Sequence, residues 1–396
     1  MQSQETTSDW IVGNPGTVAQ MAALWVGSVG LLVLGLQPIL LGSLLDEKRV
    51  SFDQLALAAT AEILAIGIGS IATAFLISGK AIRAKSAVFL ILTAILDHLT
   101  ASAATPNQII IYRGLTGLAE GALVAFAVEL IARSRRPGRY GGFFVSIQTV
   151  AQSVLAVGLA LFVVDRYGSA GGFETLAIVS LVSLVAAFLL PASYGALPKP
   201  ENTGQSGLLR PRPILALVSI FFFYMFLGAI WAFLEPLGGQ GGITPAAVGV
   251  IVSASLGAQV IGALIATMVE SRMAFRPILI LAGLLSMLIA LAFAFKPPLA
   301  LFWALSMATG FIWLFVVPFQ IRLAVDADEA RGAALLVPAA QLIGAALGPV
   351  GASLFAGEGA VTPVAWFAAV CALISSAIVF LFSLMPVPVS HSHGEH

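Results

Sequence analysis

Charge is scarce in this 396-residue sequence, where Asp, Glu, Lys and Arg together supply 10% of the positions. A water-soluble domain carries about 25% charged residues to clothe its surface, so a cytosolic globule is excluded. Acidic and basic residues cancel at 19 each, leaving no basic field for nucleic acid. Cysteine is nearly absent: the single Cys371 lies in an apolar run and excludes an internal disulfide framework. Of the four histidines only His98 lies outside the last six residues, too few for a catalytic set acting on lipid. No Gly-rich loop followed by Lys and Ser or Thr is present, so ATP drive is not expected. Neither an enzyme nor a bound cofactor or metal is expected. Met1 to Thr17 contains no Lys or Arg and does not read as a secretory signal.

What the sequence has in abundance is apolar length. Hydrophobic residues fill 59% of it, with a mean hydropathy of +1.01. A helix needs about 20 apolar residues to cross a hydrocarbon core of about 30 Å. Twelve such stretches can be read, at 20–43, 54–78, 86–104, 108–132, 141–164, 172–193, 213–236, 246–269, 277–295, 299–322, 332–355 and 362–385. Their near-continuous apolar character, as in Ala369 to Leu384, is that of membrane helices, which satisfy their own backbone in lipid. A β-barrel would alternate apolar and polar residues. The fold class expected is an all-α polytopic membrane protein.

Basic residues set the orientation. With the N-terminus inside, fourteen Lys and Arg fall in cytoplasmic loops, and only Lys48, Arg49, Arg166 and Lys296 in the opposite ones. This asymmetry places both termini in the cytoplasm, in an inner (cytoplasmic) membrane. The expected organisation is an N-terminal segment 1–19, a six-helix bundle 20–193, a polar linker 194–212, a second bundle 213–385 and a His-containing tail 386–396. Bundles of such equal length suggest an internal duplication. A shift of 193 residues places Arg113 on Ser306, Gly117 on Gly310 and Glu120 on Trp313.

Ionisable groups inside spans are costly and so face the protein interior or a cavity. Those that stand out are Glu62, Arg113, Glu120, Glu129, Glu235 and the pair Asp97–His98. Arg113 and Glu120 are two turns apart on one helix face, roughly 10 Å along the axis. A carboxyl raised by burial and lowered by an arginine can switch near neutral pH, so Glu62 and Glu120 are the candidate proton carriers. Arg113 is the candidate for tuning them or for binding an anionic group. Glu129, Arg133 and Arg139 read as a charge cluster gating the cytoplasmic side. Asp97 and His98 read as a solvated helix end in preference to a proton relay, and Glu235 as an outer gate or an interfacial group. Helical spacing groups further candidates: Gln148 with Gln152, Gln37 beside Pro38, Tyr224 with Trp231, and Trp303, Ser306, Thr309 and Trp313. Such stripes can line a cavity with aromatic walls and a few hydrogen-bonding groups, or pack helices together.

Six plus six helices around a polar linker resemble the major facilitator superfamily. The most specific piece is Arg113-Gly114-Leu115-Thr116-Gly117-Leu118-Ala119-Glu120-Gly121, which is similar to the span-four signature of the anion:cation symporter and spinster-like branches. Gly344 to Gly351 resembles the family's Gly-Pro kink motif, and Ser78 to Lys85 its loop after span two without the Asp. The resemblance implies a secondary transporter working by alternating access. The solute expected is a small organic anion or aromatic compound, with H+ as the coupling ion. Proton-antiport efflux of lipophilic compounds, or carriage of a lysolipid-like molecule, is the alternative. Membrane lipid is the expected surrounding partner, and a monomer the expected unit.

Overall fold

The computed structural model describes residues 10–11, 13–76, 79–195, 210–328, 332–356 and 360–385. Most of the expected linker, the tail 386–396 with its three histidines, residues 1–9 of the N-terminal segment and Arg331 lie outside the described residues. The described chain is helical, without a β-strand. Eleven runs are long and apolar enough to cross a membrane. One of these, Arg139–Leu189, has 51 residues and at about 1.5 Å per residue would overshoot a bilayer twofold. It contains two spans, because Gly168 adopts φ 63°, ψ −160°, a backbone that glycine takes without steric cost.

The first span is Thr17–Asp46, interrupted between Val29 and Leu32 and carrying Pro38. Spans two to four are Phe52–Leu76, Ile82–Ala101 and Pro106–Ala132. The fourth opens on a capping box in which Thr105 and Gln108 satisfy each other's backbone N–H groups, with Pro106 in the first turn where its missing N–H costs nothing. Span five, Pro137–Gly158, continues through a π-turn at Leu159–Val163 to the break at Gly168 within Val164–Val182, and span six follows that break and is extended by Leu184–Leu189. Spans seven to nine are Pro211–Ala232, Pro245–Val269 and Phe275–Ala294. Span ten comprises Leu299–Phe315 and Val317–Ala327, followed by Gly332–Ser353 and Thr362–Leu384.

The two halves repeat the same close approaches. Gly117 of span four lies against the Glu62 carbonyl of span two, and Gly310 of span ten lies against the Ser255 carbonyl of span eight. Gly69 meets the Leu118 carbonyl, Gly262 the Phe311 carbonyl, Gly35 the Gln152 side chain and Gly228 the Ala345 backbone. Each residue of the first half in these contacts is 193 positions before its counterpart. Small residues let helix backbones touch where lipid offers no hydrophobic drive to associate. The duplication is therefore a property of the packing as well as of the lengths.

Candidate functional site

Two polar sites occupy the interior. The first is a charge cluster inside the N-terminal half. Spans two and four are drawn together at Gly117 and Gly121, where neither position has room for a side chain against the backbone of span two. That approach brings Glu62 onto the Arg113 guanidinium as an ion pair. Asp97 of span three lies 2.6 Å from Arg113 Nη1, and Glu120 lies 3.9 Å from Nη2. The four side chains are at most 3% exposed, and Phe173 of span six closes the cluster with its ring centroid 5.0 Å from the guanidinium carbon. The axial separation expected between Arg113 and Glu120 is bridged by the reach of both side chains.

Asp97 corrects the sequence reading. Expected at a solvated helix end, it is 1% exposed and bonded to Arg113. His98, the next residue, turns outward to Glu174, with Nδ1 2.6 Å from Oε1, and is 62% exposed. Adjacent helix positions point about 100° apart, so the pair splits between core and surface. The signal available in sequence was spacing: Asp97 precedes Arg113 by sixteen residues across one tight turn, placing the two on adjacent antiparallel helices.

The second site is a cavity of about 300 Å³ between the halves. Gln37, Gln148, Gln152, Tyr224, Trp231 and Trp313 all line it, whereas Arg113 and Trp303 do not. Arg113 is turned into the charge cluster, and Trp303 stands ten residues before Trp313, nearly three turns along span ten. Gln259 and Gln341 also line the cavity, and sequence periodicity did not single them out. The lining contains repeat-related pairs 193 residues apart, Gly35 with Gly228, Ile63 with Leu256 and Gln148 with Gln341. The cavity thus straddles the axis relating the halves.

Its walls are held by hydrogen bonds that leave a few groups available. Gln152 donates at 2.6 Å to the Leu31 carbonyl, which also accepts from the Leu34 N–H at 3.2 Å where span one is interrupted. Trp231 donates to the Leu34 carbonyl across the halves at 2.7 Å. Trp313 stands nearly perpendicular to Trp231, with centroids 5.5 Å apart. Gln341 donates to Gln320 at 3.0 Å. The Gln37 Nε2 is buried and finds no hydrogen-bond partner among the described residues.

Contacts joining the halves lie between this cavity and the face that carries Lys48 and Lys296. They include Ser153 with Ser253 at 2.8 Å and Thr60 with the Ala346 carbonyl at 2.5 Å. Phe52 stacks on Phe233, and Glu235 shares a small pocket with Asp46 with its own side chain packed over Gly42. On the basic face the expected gate residues bond within their own half. Arg133 lies 3.5 Å from Glu129, donates to the Gly195 carbonyl and covers the Tyr194 ring. Burial pushes the Tyr194 phenol above its usual range. Arg139 lies over Phe143. In the second half Asp326 takes Arg212 at 2.8 Å and Arg276 at 3.1 Å.

A family comparison matches residues 21–334 to the Major Facilitator Superfamily. Solved structures with the same fold include a bacterial homolog to the human lysosomal transporter Spinster, inward-facing and occupied, at 12% identity and TM-score 0.68 over 92% of this chain and 96% of that one. The nucleoside transporter NupG is similar at 14% identity and TM-score 0.67 over 92% and 99% of the two chains. No curated protein matches by sequence.

Proposed function

Because this chain belongs to the Major Facilitator Superfamily, and is therefore a secondary transporter of the membrane, we propose that it couples proton movement to alternating access of a small organic solute. The observation that carries the proton is the charge count at Arg113. Three carboxyls face one guanidinium in a site closed to solvent, and an uncompensated buried carboxylate is expensive. Loading and release of a proton by Glu120 or Glu62 relieves that imbalance in one conformation and restores it in the other. Neutralising one carboxyl changes the pull of Arg113 on spans two, three and four together, which is a route from proton to helix movement.

The solute belongs in the cavity between the halves, where repeat-related lining faces both bundles. With the basic face cytoplasmic, the contacts joining the halves close the outer side, and the cavity is reached from inside. Glu129, Arg133 and Arg139, now bonded within one half, are placed to engage the other half when that side closes. A larger apolar groove of about 890 Å³ runs between spans one, five and six, but exposed Val154, Ile178, Val182 and Val185 line it, as expected of a surface covered by lipid tails.

The test is proton flux in proteoliposomes. A solute that raises the melting temperature of the purified chain should move protons when added outside vesicles loaded with a pH dye. Glu120→Gln should bind that solute and move at least about a hundredfold fewer protons, the scale on which losing a required proton carrier acts. Unchanged flux in the variant at every pH would remove Glu120 from the coupling.

A further inference from the structure

We propose that the central cavity selects an uncharged, flat solute bearing both hydrogen-bond donors and acceptors, such as a heterocycle with ring amide groups, over anions of the same shape. The inference rests on the reading of this cavity as the transport site. Five glutamines line it, Gln37, Gln148, Gln152, Gln259 and Gln341, and no Asp, Glu, Lys, Arg or His among the described residues does. An anion entering it would shed water without meeting a counter-charge, which is unfavourable in a confined apolar surround. Arg113, the cation of the membrane interior, is already engaged by Glu62, Asp97 and Glu120 and has no exposed side-chain surface. A cationic solute is no better served, since the lining holds no carboxylate.

The groups that are present describe their ligand. A primary amide offers two donor hydrogens and an acceptor oxygen, so a ring of amides matches a solute that carries both kinds of group. Gln37 lines the cavity and is 3% exposed, and its Nε2 lacks a hydrogen-bond partner among the described residues. Buried polar groups are nearly always satisfied, and an acceptor on the solute would satisfy this one. The Trp231 N–H is committed elsewhere, to the Leu34 carbonyl. Trp313, which is less buried than Trp231, leaves ring surface on the cavity, against which a planar solute stacks. At about 300 Å³ the cavity is at the small end of ligand sites, which disfavours an acyl chain.

Matched probes test this directly: uracil against orotate, nicotinamide against nicotinate and 1-methylnicotinamide, and a lauroyl lysolipid. Binding to the detergent-purified full chain would be read by thermal shift and by quenching of tryptophan fluorescence. The uncharged member of a pair should bind at least about tenfold more tightly than its charged analogue, the scale set by one unpaid desolvation. Gln37→Leu should weaken the uncharged probe about tenfold, as loss of one buried hydrogen bond does. Should that variant fail to fold, the near-isosteric Gln37→Glu should shift preference towards 1-methylnicotinamide. Equal or tighter binding of the anions, binding by the lysolipid alone, or binding by no uncharged probe overturns the inference. Because binding needs no gradient, selectivity can fail while proton flux persists, and flux can fail while selectivity persists. The two proposals are thereby separated.

Discussion

At Arg113 one guanidinium meets carboxyls from spans two and three and from its own helix, each reaching it by a different route. Glu62 arrives through backbone contact of two helices at Gly117, Asp97 through the tight turn between spans three and four, and Glu120 through two turns of the same helix. Removing the cation leaves buried carboxyls facing one another, which costs about 3–5 kcal/mol when one member of a buried pair is deleted. Arg113→Gln should accordingly lower the unfolding free energy in detergent by that amount near neutral pH. The sign with pH follows from charge: protonated carboxyls no longer repel, so the deficit should shrink as the solution is acidified. A variant whose deficit is the same at low and neutral pH would speak against the cluster as a charged unit. Replacing Asp97 with Asn should also be felt, whereas His98→Gln, at an exposed side chain paired to Glu174, should change stability by less than about 1 kcal/mol.

Among the helices, the glycines that matter are those with another backbone where a side chain would be. Gly117 and Gly310 each occupy such a place, in spans four and ten, while Gly257 of span eight has open space around it. Gly117→Val and Gly310→Val should each push a helix pair apart and strongly reduce the yield of folded protein, because packing is what holds membrane helices together. Gly257→Ala should fold as the parent does. Yield and monodispersity on size-exclusion chromatography distinguish the three, and a well-folded Gly117→Val protein would show that the approach of spans two and four is not required. Span one shows a different device. Its helix is interrupted near Leu31, and Gln152 from span five donates to the carbonyl there, so one cavity residue also ties span five to the break in span one.

For the molecule as a whole, the halves touch along one side of the cavity. Ser153 and Ser253 exchange hydrogen bonds there, with their hydroxyl oxygens 2.8 Å apart. A Ser153→Cys, Ser253→Cys double variant should form a disulfide under mild oxidant and stop transport, with activity restored by reductant. Alternating access demands that this contact separate in each cycle, so full transport with the bridge closed would contradict it. The native Cys371 is buried and should not interfere. Asp46 and Glu235 join the halves nearer the same face, and Phe52 and Phe233 add an apolar contact there.

How much of this was legible in the sequence depends on the range of the interaction. Apolar length specified the membrane helices, because crossing a bilayer is a requirement each segment meets by itself. The 193-residue shift was visible, since duplicated glycines keep their spacing, and so was the Arg113–Glu120 pair, which lies on one helix. Periodicity found Gln37, Gln148, Gln152, Tyr224, Trp231 and Trp313, as each polar or aromatic position marks an inward face. Periodicity could not tell which inward face meets which. Trp303 shares the stripe of Trp313 but not its depth relative to the cavity, Gln259 and Gln341 stand in otherwise apolar runs, and Asp97 was read as a solvated end. Only tertiary packing decided that Asp97 and Glu62 both belong to Arg113. The reason is physical: a guanidinium has several donors and no memory of sequence distance, so its partners are whichever carboxyls the helix contacts bring within reach.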